Sequence, residues 1–180
     1  MQKQKGFSLI ELLIVVAIIL IIAAIAIPNL LRARIAANES SAVSSVRTIN
    51  TAEVTYQSGY PTWGYADTLA KLGPGGVGSV CPAGGPVQAN ACLIDSVLAN
   101  ATGPGTAKSG YYFALAGQQG AGGTLYLFYT VGASPAAYNQ TGVRDFCSNE
   151  DAVVQFDPGA SGAVPVGIGG CVGPGFQPLQ

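Results

Sequence analysis

A carboxylate, Glu11, stands near the start of a run from Phe7 to Ile27 in which the only other polar side chain is Ser8. As a helix rising roughly 1.5 Å per residue, the run reaches about 31 Å, the thickness of a bilayer's hydrocarbon core. An acid at the centre of such a segment costs about 2.5–3.5 kcal/mol and therefore calls for a partner. Cutting the Gly6–Phe7 bond would create one, an α-amino group that is mostly protonated at neutral pH. Within one helix that amine lies a turn from Glu11. Between two helices staggered lengthwise, the two charges neutralise each other across the contact. A chain built this way leaves the membrane by packing against copies of itself.

The residues Lys3, Lys5, Gly6, Phe7, Ser8, Leu9, Ile10, Glu11, Leu12, Leu13 and Ile14 are followed by a long apolar stretch with Pro28 near its end. This series resembles the class III signal of type IV pilins and type II secretion pseudopilins. The resemblance implies that a prepilin peptidase cuts between Gly6 and Phe7 and that Phe7 is then N-methylated. It implies that Glu11 pairs with the Phe7 amine of a neighbouring subunit, giving a helical homopolymer. A cytoplasmic assembly ATPase, acting through an inner-membrane platform protein, would drive extraction from lipid. Beyond residue 58 the resemblance is architectural only.

Two plainer readings compete. A secretory signal has a 7–15-residue apolar core before a small-residue cleavage site, for which Ala24-Ile25-Ala26 would serve. The run is too long for that core, and an acid in its first third is foreign to it. A simple membrane anchor fits the length and leaves Gly6-Phe7 and Glu11 unexplained. Lys3 and Lys5, with no acid among the first six residues, keep the N-terminus cytoplasmic. The expected location is thus the bacterial inner membrane, single-pass, before assembly and an extracellular pilus after it.

The chain has 8 basic and 9 acidic residues, and losing residues 1–6 with Lys3 and Lys5 leaves a net charge of −3. Such a body has no electrostatic attraction for nucleic acid. Cys81, Cys92, Cys147 and Cys171 form no C-x-x-C pair and the chain has no histidine, so disulfides are favoured over zinc. Three connectivities are open. The local pairs Cys81–Cys92 and Cys147–Cys171 are preferred because short loops between Gly-rich turns close readily.

The expected organisation is a leader at 1–6, a long helix at 7–58 and a globular head at 59–180. Within the helix, 7–31 is the transmembrane and filament-core part, and the rest is amphipathic. Leu31, Ile35, Ala42, Val46, Ile49, Ala52 and Tyr56 recur at helical spacing, with Arg32, Arg34, Glu39, Arg47 and Glu53 placed mostly off that stripe. Pro28 removes a backbone donor and is expected to kink or loosen the helix. Only Phe7 and Tyr56 are aromatic along it, which leaves no continuous aromatic path. Residues 59–110 read as a loop region with one short helix at 89–98. Four strands are expected at 111–116, 124–131, 143–147 and 152–156, followed by a Gly/Pro-rich tail at 158–180. The fold class is α+β: a long N-terminal helix packed on a small antiparallel sheet, the pilin fold.

Catalytic constellations fail on inspection. Without histidine, Ser-His-Asp, Cys-His and His-metal arrangements are excluded. Gly103–Ser109 has Ala107 where a phosphate loop needs glycine before the lysine. Gly73-Pro74-Gly75-Gly76-Val77-Gly78 satisfies G-x-G-x-x-G but follows no strand and opens no helix. Asp145, Glu150, Asp151 and Asp157 lack calcium-loop spacing and read as solvated hairpin charges. Asn38, Asn100 and Asn139 begin N-x-S/T triplets short enough to recur by chance. The expectation is a structural subunit with no catalytic residue, metal or cofactor. A major pseudopilin of a type II secretion system, or a minor pilin, is the alternative.

Overall fold

The computed structural model describes residues 8–75, 80–159, 171 and 175–179. It divides into two compact units, Met1–Arg34 and Ile35–Gln180. Helix α1 runs from Leu9 to Gly59 without interruption, Pro28 included. Its first half is rich in Leu, Ile and Ala, which sustain a helix when no solvent-facing polar surface is required of it. Pro28 deprives the Ala24 carbonyl of its intrahelical donor, yet the helical backbone continues on both sides.

In the second unit, five strands form one antiparallel sheet in sequence order: β1 Tyr111–Gln119, β2 Tyr126–Pro135, β3 Asp145–Asn149, β4 Gln155–Asp157 and β5 Gln177–Pro178. The expected four-strand sheet is therefore one strand short. β5 was not legible because it is two residues long, lies in a Gly/Pro-rich tail, and exists only through its pairing with β4 at Gln155↔Pro178 and Phe156↔Gln177. The first hairpin is longer than its sequence signal, with register running from Tyr111↔Pro135 to Gln119↔Tyr126 and shifting between Gln118 and Gln119. Gly132 and Ser134, weak strand formers, are carried along by the ladder.

The loop region holds more structure than expected. Leu69–Leu72 forms a short helix, α2, and Ser96–Asn100 another, α3. The helix expected at 89–98 begins only at Ser96. Upstream of it Val87 and Asn90 exchange backbone hydrogen bonds in a turn and Cys92 adopts φ +54°, neither of which a helix allows. Asp95 then caps α3 by accepting the Leu98 N–H at 2.9 Å. Pro104–Thr106 is a single 3₁₀ turn within the Gly-rich 103–109 stretch.

The core lies between the C-terminal half of α1 and the sheet. β1 alternates as a half-buried strand should, with Tyr111, Phe113 and Leu115 facing in. Tyr129, Val131 and Phe146 meet them from β2 and β3, while Val46, Ile49 and Tyr56 project from α1 and Leu72 and Leu98 close one side. A buried polar chain ties three elements together. The Tyr129 hydroxyl donates to Asn50 Oδ1 at 3.2 Å, and Asn50 Nδ2 donates to Ser148 Oγ at 2.8 Å. Every link is satisfied, so the chain fixes the rotation of α1 against β2 and β3 rather than weakening the core.

Two expectations about charge are corrected here. Glu39 and Glu53, placed off the apolar stripe from sequence, are buried. Asp145, read as a solvated hairpin charge, is buried on β3 and accepts the Ser134 hydroxyl at 2.6 Å. Each acid has a donor supplied by a distant segment, which is what makes its burial tolerable.

Candidate assembly site

The N-terminal unit exposes what a soluble protein hides. Side chains from Leu9 to Leu31 are exposed throughout apart from the half-exposed Ala23, with Leu9 at 80% and Ile27 at 65% of full accessibility. The most apolar 18-residue window of α1 has a mean hydropathy of 3.3, and none of it is buried. By length and composition, α1 can cross a membrane. Leu9, Leu12, Leu13, Val16, Ala17 and Leu20 line a shallow groove along one face. Their successive 3-1-3-1-3 spacing, i, i+3, i+4, i+7, i+8 and i+11, places them on one face of the helix, as in packing between helices.

Glu11 interrupts that surface in the first turn of α1, where a negative charge is favoured by the helix dipole. Its Oε2 accepts the Ser8 N–H at 3.0 Å, so one orphan donor of the helix start is satisfied by the acid itself. The carboxylate's remaining lone pairs are available to a cation brought in from outside the chain. Gly6 and Phe7, expected from the sequence to be the cleavage and methylation residues, lie outside the described residues. Pro28 sits inside α1 as stated above.

The head holds two acid sites that face inward. Glu39 accepts the N–H groups of Val143 (3.0 Å) and Arg144 (3.3 Å) on one oxygen. On the other it accepts Arg144 Nε at 2.9 Å and Nη2 at 2.6 Å. The Arg144 guanidinium lies against the Phe146 and Phe156 rings, 5.6 and 5.3 Å from their centroids. Glu53 is fully buried, accepts the Ala66 N–H at 2.8 Å, and has its other oxygen unpartnered. Both acids were missed, and a signal for them existed. Glu39, Ala42, Val46, Ile49, Glu53 and Tyr56 follow one another at 3-4-3-4-3 spacing, so the acids occupy the two gaps in the apolar row.

Cys81 is bonded to Cys92 and Cys147 to Cys171, with Cα separations of 5.9 and 5.5 Å. The second bridge anchors the tail to β3. No group of three or more Cys, Asp or Glu side chains suited to a metal occurs among the described residues. Asn38 and Asn100 use their side-chain amides internally, donating to the Thr141 and Ser96 carbonyls.

Residues 1–27 match the family described as the prokaryotic N-terminal methylation motif. The N-terminal segment is similar to that of type IV pilins. The chain is 65% identical over 40 residues to the type IV wide pilus major component PilA4 of Thermus thermophilus, covering 22% of this chain and 30% of that protein. It is 45% identical over 56 residues to the type IV major pilin protein PilA of Myxococcus xanthus, covering 31% of this chain and 26% of that one. The match thus spans less than a third of the length of these curated relatives. No solved structure matches the chain significantly. The family match is to residues 1–27, and the head stands on its own geometry.

Proposed function

We propose that this chain is the structural subunit of a type IV pilus, polymerising through residues 7–31 into a helical filament. The role is architectural, not enzymatic. One observation carries it: an apolar helical surface some 30 Å long stands exposed with a single carboxylate in its first turn. Burying about 20 such side chains against neighbouring copies is worth about 1.5–3 kcal/mol each relative to water. That term holds a polymer together outside the membrane. It does not favour departure from lipid, which is equally apolar, so extraction has to be driven.

In this reading a prepilin peptidase cuts after Gly6, Phe7 is N-methylated, and the new amine of one subunit meets Glu11 of the next. The subunit waits in the inner membrane with its N-terminus cytoplasmic, and an assembly ATPase working through a platform protein moves it outward. Pro28 marks where the helix is most easily loosened during that passage. The relatives are named as pilus subunits, which favours a pilus over the pseudopilus of a secretion system.

Glu11→Ala is the decisive substitution. The protein should accumulate in membranes while the sheared extracellular fraction loses its filaments, and mass spectrometry of wild-type filaments should find methylated Phe7 first. Normal filaments from Glu11→Ala, or a mature chain starting elsewhere, would overturn the proposal.

A further inference from the structure

Glu53 sits in the core row of α1 at no measurable exposure, facing the segment 60–68 that links α1 to α2. Its Oε2 takes the N–H of Ala66, itself fully buried, and its Oε1 meets no donor or acceptor. The titratable neighbours give an anion no support. Tyr56 lies one turn along α1, Tyr129 approaches from β2, and Asp67 follows Ala66 on the packed segment. The cation of α2, Lys71, is bound to Asp67 at 2.8 Å. Elsewhere the segment is held at Tyr126, which donates to the Trp63 carbonyl and accepts the Tyr65 N–H, both at 3.0 Å. Gly64 makes that approach possible, with φ +80° and no Cβ, which would overlap the Tyr126 carbonyl.

We propose that Glu53 is a pH-sensitive latch: as a neutral acid it holds the 60–68 segment closed between α1 and β2, and ionising it releases that segment. Because Oε2 is an acceptor from Ala66, the proton resides on Oε1. Losing it leaves a negative oxygen with no donor, and opening the segment is the way to bring water to it. Burial, opposed in part by the Ala66 N–H and reinforced by the charge of Asp67, pushes the Glu53 carboxyl up to about 8. The sign follows from proton counting. Between the ordinary value of 4.5 and about 8 the closed form binds the proton that the open form has lost, so closure weakens as pH rises through that window. The latch is independent of the assembly reading, since Glu53 lies in the head unit and Glu11 does not.

Trp63, the only tryptophan of the chain, stands on the segment and reports on it directly. The full chain in detergent micelles is titrated from about pH 6 to 9, about a unit below the ordinary tyrosine and lysine values. The wild-type emission should change in one step between pH 6 and about 8, accompanied by about a hundredfold loss of Ala66 amide protection. Glu53→Gln keeps an acceptor for Ala66 and cannot titrate, so its trace should be flat. Asp67→Asn removes the neighbouring negative charge and should lower the midpoint. If Glu53→Gln does not fold, the Asp67→Asn shift and the Ala66 exchange decide. A flat wild-type trace, a step that survives in Glu53→Gln, or an unmoved midpoint in Asp67→Asn would each defeat the latch.

Discussion

Replacing Glu39 by alanine tests the main long-range tie between α1 and the region before β3. The carboxylate is 8% exposed and accepts four hydrogen bonds, two from backbone and two from the Arg144 guanidinium. Breaking a buried charged pair by deleting one partner costs about 3–5 kcal/mol. The Arg144 side chain is 38% exposed, so much of its charge is rehydrated when Glu39 is gone, which pulls the figure to the low end. The stranded Val143 and Arg144 N–H groups hold it up, at about 1 kcal/mol or more each if water does not reach them. The net expectation is a loss of about 3 kcal/mol, or a Tm lowered by about 6–12 °C for a unit of this size. Guanidinium unfolding of the full chain in micelles, followed by Trp63 emission, measures it. Arg144→Met, which keeps the stem over Phe146 and Phe156, completes a double-mutant cycle. A loss below about 1 kcal/mol for Glu39→Ala, or a coupling indistinguishable from zero, would refute the assignment of this pair as a structural tie.

Gly64→Ala should cost about 3 kcal/mol, because its Cβ would overlap the Tyr126 carbonyl at a left-handed φ of +80°. Gly85→Ala, at φ +93° in open space, should cost only about 1–2 kcal/mol, and thermal melts giving equal losses would contradict the close-approach reading. Removing the Cys147–Cys171 bridge with paired serines should destabilise the head by about 3.5 kcal/mol, against about 2.8 for Cys81–Cys92, following loop lengths set by separations of 24 and 11 residues. Burial of Cys147 on β3 adds a hydroxyl desolvation cost to the first, so a larger loss from the Cys81–Cys92 pair would count against this ranking.

Some of this architecture was open to reading along the chain, and some was not. The helix, its apolar first half and its place at the start of the fold follow from composition and 3.6-residue periodicity, which are local. The first hairpin was legible as two β-branched, aromatic runs around a Gly-rich turn, though its extension through Gly132 and Ser134 was not. The short helix was misplaced because alanine-rich residues near 89 have helical propensity, while the turn at Val87–Asn90 and the Asp95 cap override it. β5 has no sequence signature at all, since two residues acquire strand geometry only from β4.

The amino-acid order by itself marked the proposed assembly segment, because its message is one-dimensional: a bilayer's length of apolar side chains, one acid, one aromatic and one glycine at set intervals. The inward acids were decided by tertiary structure alone. Glu39 looks like a solvated helix charge until Arg144, 105 positions away, is folded onto it. Glu53 looks the same until Ala66 and Tyr129 close over it. Helical spacing can assign a residue to a face. Whether a charge on that face is tolerated depends on donors that only chain folding brings within 3 Å.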